Sequence, residues 1–173
     1  RDATSSESPY SHDSELHAWA RKLSVGAPRF EARAQPACDV SHFGMAVNLD
    51  SCIQCTRCVR ACREEQVNDV IGYAFRGEHS KIVFDLDDAM GESTCVACGE
   101  CVQACPTGAL MPAHNAGLKA VDKTVDSVCP YCGVGCQLTY HIKDNHILQV
   151  SGRAGPSNQN RLCVKGRYGF DYV

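Results

Sequence analysis

The chain has 173 residues, 44% of them hydrophobic and only 7% aromatic, with a formal net charge of −3. That length makes one or two small domains, the weak negative charge gives no reason to expect a nucleic-acid partner, and no run of about eighteen apolar residues exists to cross a membrane. Thirteen cysteines stand out against a thin apolar complement, so something besides a large hydrophobic core must hold the fold. The chain opens on Arg1 rather than Met, which suggests that its start has been removed or that it is a piece of something longer.

In chain order, the first predicted element is a helix over Ser11–Leu23, with Leu16, Trp19, Ala20 and Leu23 recurring on one face as an apolar stripe. From Val25 to Asn48, Pro28 and Pro36 and the lack of periodicity predict an irregular strap. Residues 49–112 contain an internal repeat. Cys52, Cys55, Cys58 and Cys62 recur at the same spacing as Cys95, Cys98, Cys101 and Cys105, the second run being followed by Pro106. Between the runs, Val70–Arg76 and Lys81–Leu86 read as two strands around a turn at Gly77–His79, a hairpin expected to lie over one of the sites. A linker over 113–126 leads to Cys129, Cys132 and Cys136. Two strands follow, Gln137–Lys143 and His146–Val150, joined at Asp144-Asn145, and a polar loop over Ser151–Arg161 returns the chain to Cys163.

The cysteines fall in tight C-x-x-C runs, too close together for a disulfide framework. They read as thiolate ligands, which implies a reducing, cytoplasmic setting. A cubane [4Fe–4S] cluster needs four thiolates around one small body, and a C-x-x-C-x-x-C run wraps three of them while its amides point at the sulfurs. In two-cluster ferredoxins the fourth cysteine of each run ligates the other cluster. The expected sets are therefore Cys52, Cys55, Cys58 and Cys105 for the first cluster, and Cys95, Cys98, Cys101 and Cys62 for the second. Zinc favours two separated C-x-x-C pairs and fits these runs poorly. The third set is Cys129, Cys132, Cys136 and Cys163, where zinc is the alternative if the set is taken alone. Cys38 has no ligand spacing and is expected to be a free thiol. His42, His79, His114, His141 and His146 are scattered and read as surface or packing residues. Arg57, Arg60 and Arg63 flank the first run, but Glu64 and Glu65 follow at once, as on a solvated helix face.

Two stretches carry a family resemblance. Cys129-Pro130-Tyr131-Cys132-Gly133-Val134-Gly135-Cys136, with Cys163-Val164-Lys165-Gly166 downstream, resembles the amino-terminal cluster domain of molybdenum/tungsten bis-pterin oxidoreductases, formate dehydrogenases above all. The run from Ala46 to Cys52, that from Arg63 to Gly72, and that from Cys95 to Leu110 resemble the alpha subunit of soluble NAD-dependent formate dehydrogenases. The likeness covers about Asp39–Val173. The [2Fe–2S] domain and histidine-ligated cluster that begin such subunits have no counterpart in it.

The resemblance implies an α+β fold: a two-cluster [4Fe–4S] ferredoxin-like domain over 49–112, after a helix and strap over 1–48. Beyond the linker, 127–173 would begin a small β-hairpin [4Fe–4S] domain of the molybdopterin oxidoreductase type. It implies that Lys165 is a cofactor-binding residue, lying between the third cluster and a pterin. The cofactors implied are three [4Fe–4S] clusters beside a Mo- or W-bis(molybdopterin guanine dinucleotide). Implied partners are the remainder of the alpha subunit, a flavin/NAD-binding beta subunit and, as an open case, a [2Fe–2S] gamma subunit, with no nucleic acid and no membrane. The expected function is electron relay in an NAD-dependent formate dehydrogenase, between the metal–pterin site where formate and CO2 interconvert and the flavin/NAD partner. The catalytic residues themselves would lie beyond this chain. Two alternatives stay open: another bis-pterin oxidoreductase, such as a nitrate reductase or hydrogenase-linked formate dehydrogenase, and a free-standing polyferredoxin.

Overall fold

The structure, a computed structural model, describes residues 14–31, 37–113 and 121–170. The first residues of the predicted helix, Pro36, His114 and half of the linker lie outside the described residues. Helix α1 runs Glu15–Lys22. Its start is set by Ser14, whose Oγ accepts from the His17 amide at 3.2 Å, and Glu15, Arg21 and Lys22 place charges that complement the helix dipole. Only part of the predicted apolar stripe is covered: Ala20 is buried and Leu16 half-buried. His17 and Ala20 are the buried residues of α1, while Trp19 is 49% and Leu23 66% exposed. The helix docks instead through its amino-terminal end. The Leu16 amide donates to the Pro106 carbonyl at 2.9 Å, and Glu15 pairs with Arg57 at 2.6 Å. Trp19 is left to Lys22, whose Nζ lies 4.6 Å from its ring centre.

Three small antiparallel sheets follow. Strand β1 (Met45–Val47) pairs with β4 (Leu110–Pro112), Met45 opposite Pro112 and Val47 opposite Leu110. This pairing reaches back into the segment expected to be strap, because Met45, Ala46 and Val47 are all buried and need a partner strand on the apolar core. It closes the repeat into one unit. Strands β2 (Ile71–Ala74) and β3 (Lys81–Phe84) form the predicted hairpin, Ile71 opposite Phe84, around a 3-10 turn at Gly77–His79. Strands β5 (Lys123–Val128), β6 (Gln137–Lys143) and β7 (His146–Gly152) form a meander. Strand β5 occupies residues expected to be linker. Strand β6 would otherwise be bare along one edge, and β5 covers it from Lys123 opposite Ile142 to Val128 opposite Gln137. The β6–β7 turn places Asp144 and Asn145 at φ 49° and 63°, the left-handed pair that suits a two-residue hairpin.

Two apolar cores result. Met45, Val47, Val59, Val70, Ile71, Ile82, Phe84, Met90 and Leu110 gather around Cys58, Cys62 and Cys101. Leu138, Val150 and Leu162 gather around Cys129. In both, cysteine sulfurs sit within the core rather than on its rim, so placing the cysteines and packing the chain are one problem. Among the described residues, no helix is long and apolar enough to cross a membrane.

Candidate metal centres

The repeat folds alike twice. In the first run Gln54 and Thr56 take φ of 56° and 60°; at the equivalent places of the second, Ala97 and Gly99 take 57° and 71°. Each left-handed residue turns the chain back, so that the three cysteines of a run face one point. Three of these four are not glycine, at a cost of about 1–2 kcal/mol each. The turns also aim amides inward: Gln54 N–H meets Cys52 Sγ, and Ala97 N–H meets Cys95 Sγ, both at 3.4 Å.

The two runs then diverge in the way that delivers their fourth cysteines. After Arg57–Arg60 (α2) the first run continues into a wider turn over Ala61–Glu65, closed by the Gln66 amide on the Ala61 carbonyl at 3.1 Å. That turn carries Cys62, buried, to the second run. In the second run, Glu100–Ala104 (α3) stops because Cys105 precedes Pro106 and is forced extended, at φ −74° and ψ 116°. Cys105 thereby reaches the first run. Cys52, Cys55, Cys58 and Cys105 line one apolar pocket, closed by Ile53, Ile82 and Leu110. Burial above all, then the neighbouring sulfurs of Cys105, Cys52 and Cys55, pushes the Cys58 thiol up to about 12. Cys95, Cys98, Cys101 and Cys62 are likewise mutual neighbours. Cys101, fully buried, is raised well above its ordinary value, first by burial and then by Cys98, with Cys95 and Cys62 among the further causes. Thr107 Oγ1 stands 3.6 Å from Cys105 Sγ.

The β2–β3 hairpin does lie over the first of these groups. Gln54 Nε2 donates to the Ser80 carbonyl at 2.6 Å, Tyr73 O–H donates to Gln54 Oε1 at 2.8 Å, and Ile82 reaches the pocket wall. The three flanking arginines form exposed pairs, Arg57 with Glu15, Arg60 with Glu64 and Arg63 with Asp69. Such exposed, solvent-screened pairs contribute little to stability.

Cys129, Cys132, Cys136 and Cys163 also come together. The Cys136 thiol is raised first by burial and then by Cys129, Cys132 and Cys163. The Cys129 amide closes this loop on the Cys136 carbonyl at 2.8 Å, and Gly135 supplies its left-handed turn at φ 65°. Helix α4, Val164–Tyr168, starts at Cys163 and brings Gly166 against Cys129; a Cβ there would stand 3.7 Å from the Cys129 sulfur. Lys165 is exposed on the same helix. Cys38 is exposed. Of the histidines, His42 is buried, its Nδ1 accepting from the Gly44 amide at 3.1 Å, and His141 meets Ser151 Oγ at 2.8 Å. Both are packing residues.

Sequence reading missed the residue that joins the sites. Arg167 is 3% exposed. Its amide donates to the Cys163 carbonyl at 3.1 Å and its Nε to the Cys98 carbonyl at 2.8 Å, linking a cysteine of the third group to one of the second. Its remaining nitrogens reach Gln103 Oε1 at 2.9 Å and Glu100 Oε2 at 3.1 Å. Gln103 in turn bonds Gly152 and Asn160, and Arg161 pairs with Glu65. The side-chain contacts of Arg167 span 64 to 69 residues, so no local spacing announces them; the one signal was a charged residue four places after Cys163. Gly99 makes them possible, since a Cβ there would lie 2.2 Å from Arg167 Cδ. Gly99→Ala should therefore displace a buried ion-paired arginine, which costs about 3–5 kcal/mol. Denaturant unfolding of the metal-loaded protein should show a loss of about 3 kcal/mol or more, and an unchanged midpoint would refute the fit.

Comparison with known proteins accords with this geometry. The model of the 4Fe-4S dicluster domain matches residues 51–109, and that of the molybdopterin oxidoreductase Fe4S4 domain matches 122–173. A protein named "Putative formate dehydrogenase" from Staphylococcus haemolyticus is 32% identical over 72% of this chain, and one of the same name from Staphylococcus aureus strain USA300 is 31% identical over the same share. The chain spans only 17% of the length of each. Among solved structures, an NAD+-reducing [NiFe]-hydrogenase in its H2-reduced state matches 58% of this chain and 43% of its own, with a TM-score of 0.52 and 27% identity. This chain is thus an iron–sulfur segment in which a 4Fe-4S dicluster domain precedes an Fe4S4 domain of the molybdopterin oxidoreductase type, homologous to proteins named as formate dehydrogenases.

Proposed function

We propose that the chain is the electron-relay segment of a formate dehydrogenase alpha subunit. It would carry electrons between a Mo- or W-bis-pterin site, where formate and CO2 interconvert, and a flavin/NAD-bearing partner. The observation that carries this reading is the gathering of twelve cysteines into three groups of four, two of them completed by exchange between the repeats. Cys52, Cys55, Cys58 and Cys105 would hold one [4Fe–4S] cluster, Cys95, Cys98, Cys101 and Cys62 a second, and Cys129, Cys132, Cys136 and Cys163 a third.

The donor sets suit that occupant. A single zinc ion at ~2.3 Å from each sulfur would require sulfurs only about 3.8 Å apart. Among the described residues, no three side chains of ligand type converge that tightly on one ion. Four sulfurs spread around an apolar pocket fit a body larger than an ion. Thiols buried as Cys58 and Cys101 are would stay protonated by themselves, and iron reverses that logic. When bound, such clusters supply one-electron storage and transfer. The chain's own residues then have plain tasks. Amides of Gln54 and Ala97 support the thiolates, the β2–β3 hairpin keeps water from the first site, and Arg167 fixes the second site against the third. Around the third group Val128, Val134 and Val164 remain exposed beside Lys165. An apolar fringe with one cation suits a surface that the rest of a longer protein covers, with Lys165 meeting an anionic cofactor.

Iron and acid-labile sulfide in the full-length protein should each include about 12 per chain assignable to this segment, three clusters of four. Stoichiometric zinc with eight irons would remove the third cluster. Addition of formate should bleach the cluster absorbance; loaded clusters that formate leaves oxidised would move the assignment to another bis-pterin oxidoreductase.

A further inference from the structure

Tyr168, the last residue of α4, enters the dicluster domain from the third domain. Its ring packs over Gly44, where an added Cβ would sit 3.6 Å from the ring carbons. Its hydroxyl ends against Gly99, 2.4 Å from the place a Cβ would occupy. The hydroxyl is buried and finds no hydrogen-bond partner among the described residues. Buried polar groups in native structures are rarely left so, and a tyrosine hydroxyl at depth ordinarily has an acceptor. The groups around it are the Arg167 guanidinium and the thiols of Cys101, Cys98 and Cys95, and the Tyr168 ring packs against the core that holds Cys101. Arg167 holds the helix in this position by its bonds to Cys98, Glu100 and Gln103.

We propose that the Tyr168 hydroxyl donates a hydrogen bond to the sulfur shell of the second site, so that a side chain of the third domain sets that cluster's reduction potential. This rests on reading Cys62, Cys95, Cys98 and Cys101 as the ligands of a [4Fe–4S] cluster. Each electron added to a thiolate-bound cluster raises its negative charge, and a donor aimed at its sulfurs stabilises the reduced form more than the oxidised one. In the first run the position equivalent to Gly99 is Thr56, and a hydroxyl near a sulfur of that site is Thr107 Oγ1, 3.6 Å from Cys105 Sγ. The potential of the second cluster would thus be set in part from the third domain. Tyr168 is a positioning and tuning residue; it ligates nothing.

The test is Tyr168→Phe in the full-length, cluster-loaded protein, which keeps the ring on Gly44 and deletes only the donor. In an EPR-monitored redox titration, the second cluster, identified by the loss of its signal in Cys101→Ala, should become harder to reduce. The expected change is about tenfold in its reduction equilibrium, equivalent to about 59 mV for one electron. The first and third clusters should not move, and iron content should be unchanged. In wild type, ENDOR of the reduced second cluster in deuterated water should show an exchangeable coupled proton that the Phe variant lacks, beside amide protons such as that of Ala97, which both proteins keep. An unmoved potential with intact clusters overturns the proposal, as does an exchangeable-proton spectrum identical in wild type and Tyr168→Phe, which would leave the donors to amides or water. Should the variant fail to assemble, a wild-type spectrum with no exchangeable proton beyond those of the amides overturns it equally. Wild-type protein without iron at this set fails the cluster reading itself, and the inference with it.

Discussion

Cys105→Ala is expected to abolish the cluster held by Cys52, Cys55 and Cys58 and to spare the one beside it in sequence. Cys105 follows Ala104 of α3, yet the extended conformation imposed by Pro106 turns its sulfur into the pocket of the other run. Three thiolates and an apolar wall cannot hold a cubane well, and alanine offers no replacement ligand. Iron should fall from about 12 to about 8 per segment, and the EPR signal lost should be the one also lost in Cys55→Ala, not in Cys98→Ala. Because each run contributes to both sites, the surviving cluster will sit in a weaker domain, and metal binding here is also folding energy. Reciprocal behaviour is expected of Cys62→Ala. Loss of the Cys98-dependent signal in Cys105→Ala would refute the crossing.

Lys165→Met is expected to leave all three clusters assembled while slowing their reduction by formate at least tenfold. The side chain is exposed on α4, two residues from Cys163, and holds none of the buried contacts made by Arg167. Its removal should therefore cost little stability. A compact ammonium between an anionic cluster and a pterin can donate to both and stabilise charge passing between them. Arginine keeps the charge but brings a planar fork, so Lys165→Arg should also be slowed, though less. The measurement is rapid mixing of each oxidised full-length protein with formate, followed at cluster absorbance. Equal rates in wild type and the Met variant would return Lys165 to the solvated surface.

The legible parts were those in which covalent or local geometry forces spacing. Three sulfurs around one small body demand C-x-x-C-x-x-C, and that demand does not depend on the rest of the fold. The same holds for Asp144-Asn145, two residues able to take left-handed φ between alternating strands, and for the turn at Gly77–His79. The apolar face of α1 is only partly used, with Ala20 buried and Leu16 half-buried but Trp19 and Leu23 exposed, because an eight-residue helix can be held by its end, through Leu16 and Glu15. Strand β5, with the burial of only Ser127 above full exposure along its length, has no alternation of its own and exists because β6 needs an edge partner. Arg167 and Tyr168 were invisible for a different reason. Their partners, at Cys98, Glu100, Gln103 and Gly99, are brought near by the tertiary fold alone, and neither residue type nor spacing encodes that meeting.

The contact between α3 and α4 also limits how such modules can be exchanged by design. A dicluster unit grafted ahead of this third domain from another source would need Gly99, Glu100 and Gln103 together: the glycine as clearance, the carboxylate as counter-charge, the amide as the second acceptor for Arg167. A graft with a side chain at the first position would collide, and one lacking the second would bury an unpaired cation. Compatibility between the two modules is therefore written in three residues that bind no metal. A chimaera that keeps every ligand cysteine can load its iron and still fail as a wire.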